Sequence, residues 1–148
     1  MLSPVEEVSM NLFAWAAAAC YFLAVIFGVI FGFLYLLTPK VFHYHEWVMG
    51  KKWEELDAKM QTLLLSLKRG IGGAILALAV ALGSMTIFAF IPGEKWSYTV
   101  IPVVGLISFG TWLYTMLMDW SRTKARTPMV VPAIGIVLMV MGFILSFF

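Results

Sequence analysis

The chain has one cysteine and two histidines in 148 residues, and only 12% of its positions carry charged side chains. A single cysteine excludes an intrachain disulfide framework. Cys20 lies inside an apolar run, where a thiol behaves as a small hydrophobe. The scarcity of charge excludes both intrinsic disorder and a water-soluble globule of ordinary surface, which carries about 25% charged residues. A formal net charge of +2 is too small for a nucleic-acid footprint, so no nucleic-acid partner is expected. No Lys or Arg precedes Lys40, so the basic region of a cleaved signal is missing and the first apolar segment is expected to be retained. Gly-rich phosphate loops, nucleophile elbows and paired-cysteine motifs are missing too.

What is present is apolar: 62% of the residues are hydrophobic and 16% aromatic, and they fall in long blocks. About 20 such residues are needed for a helix to cross ~30 Å of hydrocarbon. Four segments meet that length, at approximately 11–37, 71–91, 97–118 and 127–148. Thr38-Pro39 closes the first, because the residue before proline is biased away from helix. Pro92-Gly93 closes the second as a turn. Thr127-Pro128 is expected to open the fourth as an N-cap with proline at the first helical position. Ser3-Pro4-Val5-Glu6 reads as a capping box, so the first helix is expected to begin before the bilayer does. Pro102 and Pro132 are expected to kink or loosen the third and fourth helices.

The expected fold is therefore all-α, a single domain over 1–148 built as an integral membrane four-helix bundle. The connection 38–70 is its only substantial extramembrane piece. Leu56, Met60, Leu63, Leu67 and Ile71 recur there at helical spacing, predicting an amphipathic extension that leads into the second span. Such a stripe either rests on the bilayer surface or packs on a partner helix. Trp47, Trp53, Trp96, Tyr98 and Trp120 fall near span ends, where amphipathic rings prefer to sit.

Basic residues set the orientation. Lys40, Lys51, Lys52, Lys59, Lys68 and Arg69 lie in the first connection and Arg122, Lys124 and Arg126 in the third, leaving only Lys95 on the other side. Lys and Arg near span ends are retained in the cytoplasm, so both basic connections are expected inside and both termini outside. The same cations, Lys68, Arg69, Arg122, Lys124 and Arg126, are candidates for holding anionic lipid headgroups. Asp119 could pair with Arg122 three residues on.

Three constellations bear on function. No Asp, Glu, Lys, Arg or His lies in the interior of any expected span, which argues against proton relays, ion pumps and haem held between helices. Ala16, Cys20, Ala24, Gly28 and Gly32 recur every four residues on one face of the first span, with Gly73, Ala77 and Ala81 as a shorter counterpart in the second. Small residues in register let helix backbones approach, either within the bundle or against another membrane helix of a homo-oligomer or larger complex. Third, His43-Tyr44-His45-Glu46-Trp47 holds both histidines. His43 and Glu46 share a face if this stretch is helical, and His43 and His45 share one if it is extended. His43, His45 and Glu46 are thus the candidate metal ligands, the alternative being a polar-aromatic collar at the membrane interface.

The expected function is a small non-catalytic accessory or structural membrane subunit. One alternative is a membrane-embedded enzyme or metal- or quinone-type cofactor-binding protein around His43, His45 and Glu46. Another is a carrier of a neutral or lipidic substrate, with Ser84, Thr86, Ser108 and Thr111 as polar contacts.

Overall fold

The computed structural model describes residues 11–148, which among themselves form helices and connections with no strand. The expected capping box Ser3–Glu6 lies outside the described residues. Helix α1 spans Leu12–Leu37. Asn11 caps its start, its side-chain oxygen accepting from the Ala14 N–H at 2.8 Å, and the extended Thr38 ahead of Pro39 ends it. Its C-terminal end falls where the local sequence chemistry puts it.

Helix α2, His43–Met49, stops at Gly50, whose φ of 65° is the left-handed conformation that glycine adopts without a Cβ penalty. A single 3₁₀ turn, Trp53–Glu55, follows. Helix α3 runs from Ala58 to Met85 without a break and then widens into a π segment, Thr86–Phe90. Asp57 caps its start by accepting from the N–H groups of Lys59 and Met60. The amphipathic extension and the second span are therefore one rod. Its stripe of Met60, Leu63, Leu67 and Ile71 is exposed along the rod and is not folded back as a separate surface helix.

Helix α4 spans Ser97–Thr123, five residues beyond the apolar run, because helical hydrogen bonding continues through Asp119 and Arg122 until Lys124 takes a left-handed φ of 57°. Pro102 lies inside it and is fully buried. Helix α5 is shorter than expected, covering Val130–Leu145. Thr127 does not cap it; its hydroxyl instead donates to the Met116 carbonyl of α4, and Met129 takes the N-cap position. Pro132 sits in the first turn of α5, where a missing N–H costs nothing. By length and composition α1, α3 with its π segment, and α4 are able to cross a membrane, while α5 is an apolar helix of 16 residues. Large apolar side chains such as Val80, Ile107 and Val137 are exposed in the middle of these helices, as a lipid solvent requires and water does not allow. The protein is membrane-associated.

Helix α1 is the central post, packing along α3 on one side and α5 on the other, while α4 packs along α5. Helices α1 and α3 approach closely at Gly28 and Gly32. A Cβ added at Gly28 would stand 3.0 Å from the Cβ of Ala79, and one at Gly72 would stand 2.9 Å from the carbonyl oxygen of Gly32. The α3 partners are thus Gly72, Leu76 and Ala79, not Gly73, Ala77 and Ala81, of which Ala77 and Ala81 are exposed. On the α5 side large groups enter gaps left by glycine: Phe109 over Gly135, Met139 over Gly105 and Tyr21 over Gly142. Tyr21 is fully buried, meets Phe90 edge-on at 5.3 Å, and its hydroxyl lies 3.3 Å from that of Ser146.

Helices α3 and α4 are treated differently. They meet chiefly beside the turn that joins them, where Phe90 packs against Tyr98 with ring centroids 5.1 Å apart, and they part toward their other ends.

Candidate functional site

The gap between α3 and α4 is a cavity of about 640 Å³, walled by α1, α3 and α4 and closed at one end by α2. That volume falls within the range of about 300–1,000 Å³ usual for small-molecule sites. Its deep part is apolar, formed by Ala24, Val25, Ile75, Leu78, Leu82 and Phe109. The polar groups gather at the α2 end: Tyr35, Tyr44, His45 and Asp119, with Thr111 and Thr115 on the α4 wall. The lining covers Ala24 to Tyr35 of α1 and Ile71 to Leu82 of α3, each about 16 Å of helix at 1.5 Å per residue. Ile71 and Ile107, on opposite rims, are 52% and 65% exposed, so the cavity opens sideways where the two helices diverge.

The polar end is held in place by α2 and the buried Lys68. The Lys68 ammonium donates to the backbone carbonyls of Thr38 and Lys40, both at 2.7 Å, and lies 5.1 Å from the Phe42 ring centroid. It therefore caps the carbonyl end of α1, where a cation is favoured by the helix dipole. Being only 4% exposed, it is not available to lipid headgroups, which corrects the expectation for this residue. Arg69, Arg122, Lys124 and Arg126 remain exposed, with Lys124 resting over the Trp120 ring at 4.9 Å. Phe42 in turn stacks near Tyr35, Tyr44 and His45, making one aromatic floor.

The three expected metal ligands do not converge. Because α2 is helical, His43 and Glu46 share a face, with His43 Nδ1 2.6 Å from a Glu46 oxygen. The other Glu46 oxygen accepts from the Trp53 N–H at 2.9 Å, and these two hydrogen bonds hold the Glu46 carboxyl below its ordinary range. Trp53 is itself buried at 7% exposure, and its carbonyl accepts from the Gln61 side chain at 2.9 Å. Glu46 is thus a tie between α2, the 3₁₀ turn and the start of α3. His45 points the other way, into the cavity lining, and among the described residues no group of three His, Cys, Asp or Glu is placed to hold a metal ion. Of the rings expected near span ends, Trp53 is buried and Tyr98 half-buried in the protein, whereas Trp47, Trp96 and Trp120 are exposed.

His45 has a defined chemical state. Burial, helped by the nearby Lys68 charge, lowers its pKa to about 4, so the ring is neutral at pH 7. Its Nδ1 accepts from the Phe42 N–H at 3.2 Å, which leaves the proton on Nε2 as a donor. The Tyr35 and Tyr44 hydroxyls are hydrogen-bonded to each other. Burial first, and then neighbouring Tyr35 and Asp119, push the Tyr44 phenol upward, so it stays protonated. Asp119, expected on the surface beside Arg122, lies at the mouth of the cavity instead. Among the described residues its carboxylate has no ion-pair partner and accepts no hydrogen bond. Of the expected carrier contacts, Ser108 and Thr111 line the cavity, whereas Ser84 does not, and Thr86 is buried with its hydroxyl on the Leu82 carbonyl.

In comparison with known proteins, no protein family, curated protein or solved structure matches this chain.

Proposed function

We propose that the chain is a small, non-catalytic, multi-pass membrane protein whose bundle of four helices holds an amphiphilic guest between α3 and α4. The observation that carries this reading is the cavity: apolar walls, a lateral opening, and hydrogen-bonding groups confined to one end. Its length of about 16 Å is roughly half the ~30 Å of hydrocarbon, the depth of one leaflet. A molecule with a polar head and one or two hydrophobic tails, drawn laterally from that leaflet, fits this shape. In this reading α5 is the fourth crossing, its 16 residues giving about 24 Å and the flanking residues the remainder.

The reading as an accessory subunit drew on the stripe Ala16, Cys20, Ala24, Gly28 and Gly32. Gly28 and Gly32 are covered by α3 of the same chain, and Cys20 and Ala24 are buried, so the stripe no longer asks for a partner.

The sidedness follows the basic residues, which put 38–70 and 124–126 in the cytoplasm and both termini outside. In a Cys20→Ser background, a cysteine at Phe148 should react with a membrane-impermeant maleimide on intact cells, and one at Lys51 only after permeabilisation. The reverse pattern refutes the orientation.

Occupancy tests the binding reading. Protein purified in a mild non-ionic detergent should yield about one extractable amphiphile per chain. Ile75→Trp, or Thr111→Trp from the opposite wall, fills the cavity and should lower that occupancy severalfold without lowering the thermal midpoint. A guest-free wild type, or equal occupancy in both filled variants, rejects it.

A further inference from the structure

Resting on the cavity reading, we infer that the guest is a long-chain amine whose ammonium head pairs with Asp119. Among the described residues Asp119 is the only acidic side chain lining the cavity, and it is half-buried beside apolar walls. Among those residues its carboxylate has no ion-pair partner and accepts no hydrogen bond, so an incoming cation would supply the partner it lacks. The nearest buried cation, Lys68, is engaged by two backbone carbonyls and lies outside the lining.

The remaining polar atoms point the same way. Ser108, Thr111 and Thr115 each donate their hydroxyl hydrogen to a carbonyl of α4, those of Val104, Ile107 and Trp112. They offer the cavity only lone pairs, so the α4 wall accepts hydrogen bonds and suits a head rich in donors. Tyr35, Tyr44 and Trp112 make this end of the lining aromatic. On the α2 side of the lining, His45 Nε2–H and the one hydroxyl hydrogen left over from the Tyr35–Tyr44 pair are donors, able to hold a hydroxyl or carbonyl on the same head. A fatty carboxylate would meet Asp119 with like charge. An uncharged alcohol would offer it one hydrogen bond without a countercharge, and a quinone, lacking a donor, would offer neither.

The test uses the full chain in non-ionic detergent at pH 7, with hexadecylamine, hexadecanol and hexadecanoate as probes, each corrected for partition into empty micelles. Hexadecylamine should bind about tenfold more tightly than hexadecanol, the size of effect expected for one half-buried ion pair, and hexadecanoate least. Asp119→Asn should erase the preference for the amine over hexadecanol, and an unchanged thermal midpoint reports that the variant is folded. Equal binding of amine and alcohol by the wild type, or an undiminished amine preference in Asp119→Asn, overturns the inference while the cavity reading stands. Failure of all three probes, with no difference between wild type and Ile75→Trp, overturns both.

Discussion

Replacing Gly72 with valine should unfold the bundle or cost about 3 kcal/mol or more, the upper range for overpacking a tight contact. The reason is geometric. A Cβ at Gly72 would stand 2.9 Å from the Gly32 carbonyl oxygen and 3.0 Å from the Leu36 N, and backbone atoms cannot rotate aside as a side chain does. The two helices would have to separate, losing the close approach that substitutes for hydrophobic driving force between helices in lipid. Gly73, one residue away, has nothing within 4 Å of its would-be Cβ. Gly73→Ala should therefore be neutral or stabilise by up to about 1 kcal/mol through helix propensity. Detergent-denaturation midpoints of the two variants should move in opposite directions. Equal shifts would mean that α1 and α3 do not meet along this face.

Lys68→Met is the second large effect expected, at about 2–3 kcal/mol, with Arg69→Met within about 0.5 kcal/mol of wild type. Removing the ammonium leaves the Thr38 and Lys40 carbonyls without their donor and takes the cation from the face of Phe42. Methionine recovers the apolar packing of the lysine stem and part of the desolvation that the charge suffers, so the loss is smaller than two full orphaned carbonyls. Phe42 also forms the floor beneath Tyr35 and His45, so the variant should lose cavity occupancy together with stability. If Lys68→Met and Arg69→Met behave alike, Lys68 is a surface lysine and the capping role assigned to it is wrong.

The parts of this fold legible in the sequence are those set by local chemistry. Thr38-Pro39 ends α1 where the sequence puts it, and the stripe from Met60 to Ile71 lies on one unbroken helix with the second apolar run, Leu56 falling just ahead of the Asp57 cap. Helix ends set by tertiary hydrogen bonds were not legible. Thr127 reads as a cap but is taken by the Met116 carbonyl, and α4 outlasts its apolar run because hydrogen bonding, not hydropathy, ends a helix. On α3 the residues facing Gly28 and Gly32 are Gly72, Leu76 and Ala79, one or two positions before the Gly73, Ala77 and Ala81 that spacing alone suggests, and one position is about 100° of rotation on a helix.

The site was less legible than the fold. The cluster His43-Tyr44-His45-Glu46 drew attention, but one helical turn sends His43 and Glu46 to the Trp53 side and His45 with Tyr44 to the cavity. Asp119 and Arg122 have the spacing of a surface pair, and only the seating of α2 against α4 shows that the carboxylate belongs to the cavity mouth. The cavity itself has no sequence signature. It exists because α1 packs on both α3 and α5 while α3 and α4 diverge, a relation between elements far apart in the chain.

The most direct test of the central claim is an experimental density map of the protein in lipid nanodiscs. The account predicts an elongated non-protein feature running from Leu78 and Phe109 toward Tyr44 and Asp119, with α3 and α4 standing apart around it. A map in which α3 and α4 close against each other, or in which a helix of a second chain fills the gap, would contradict it.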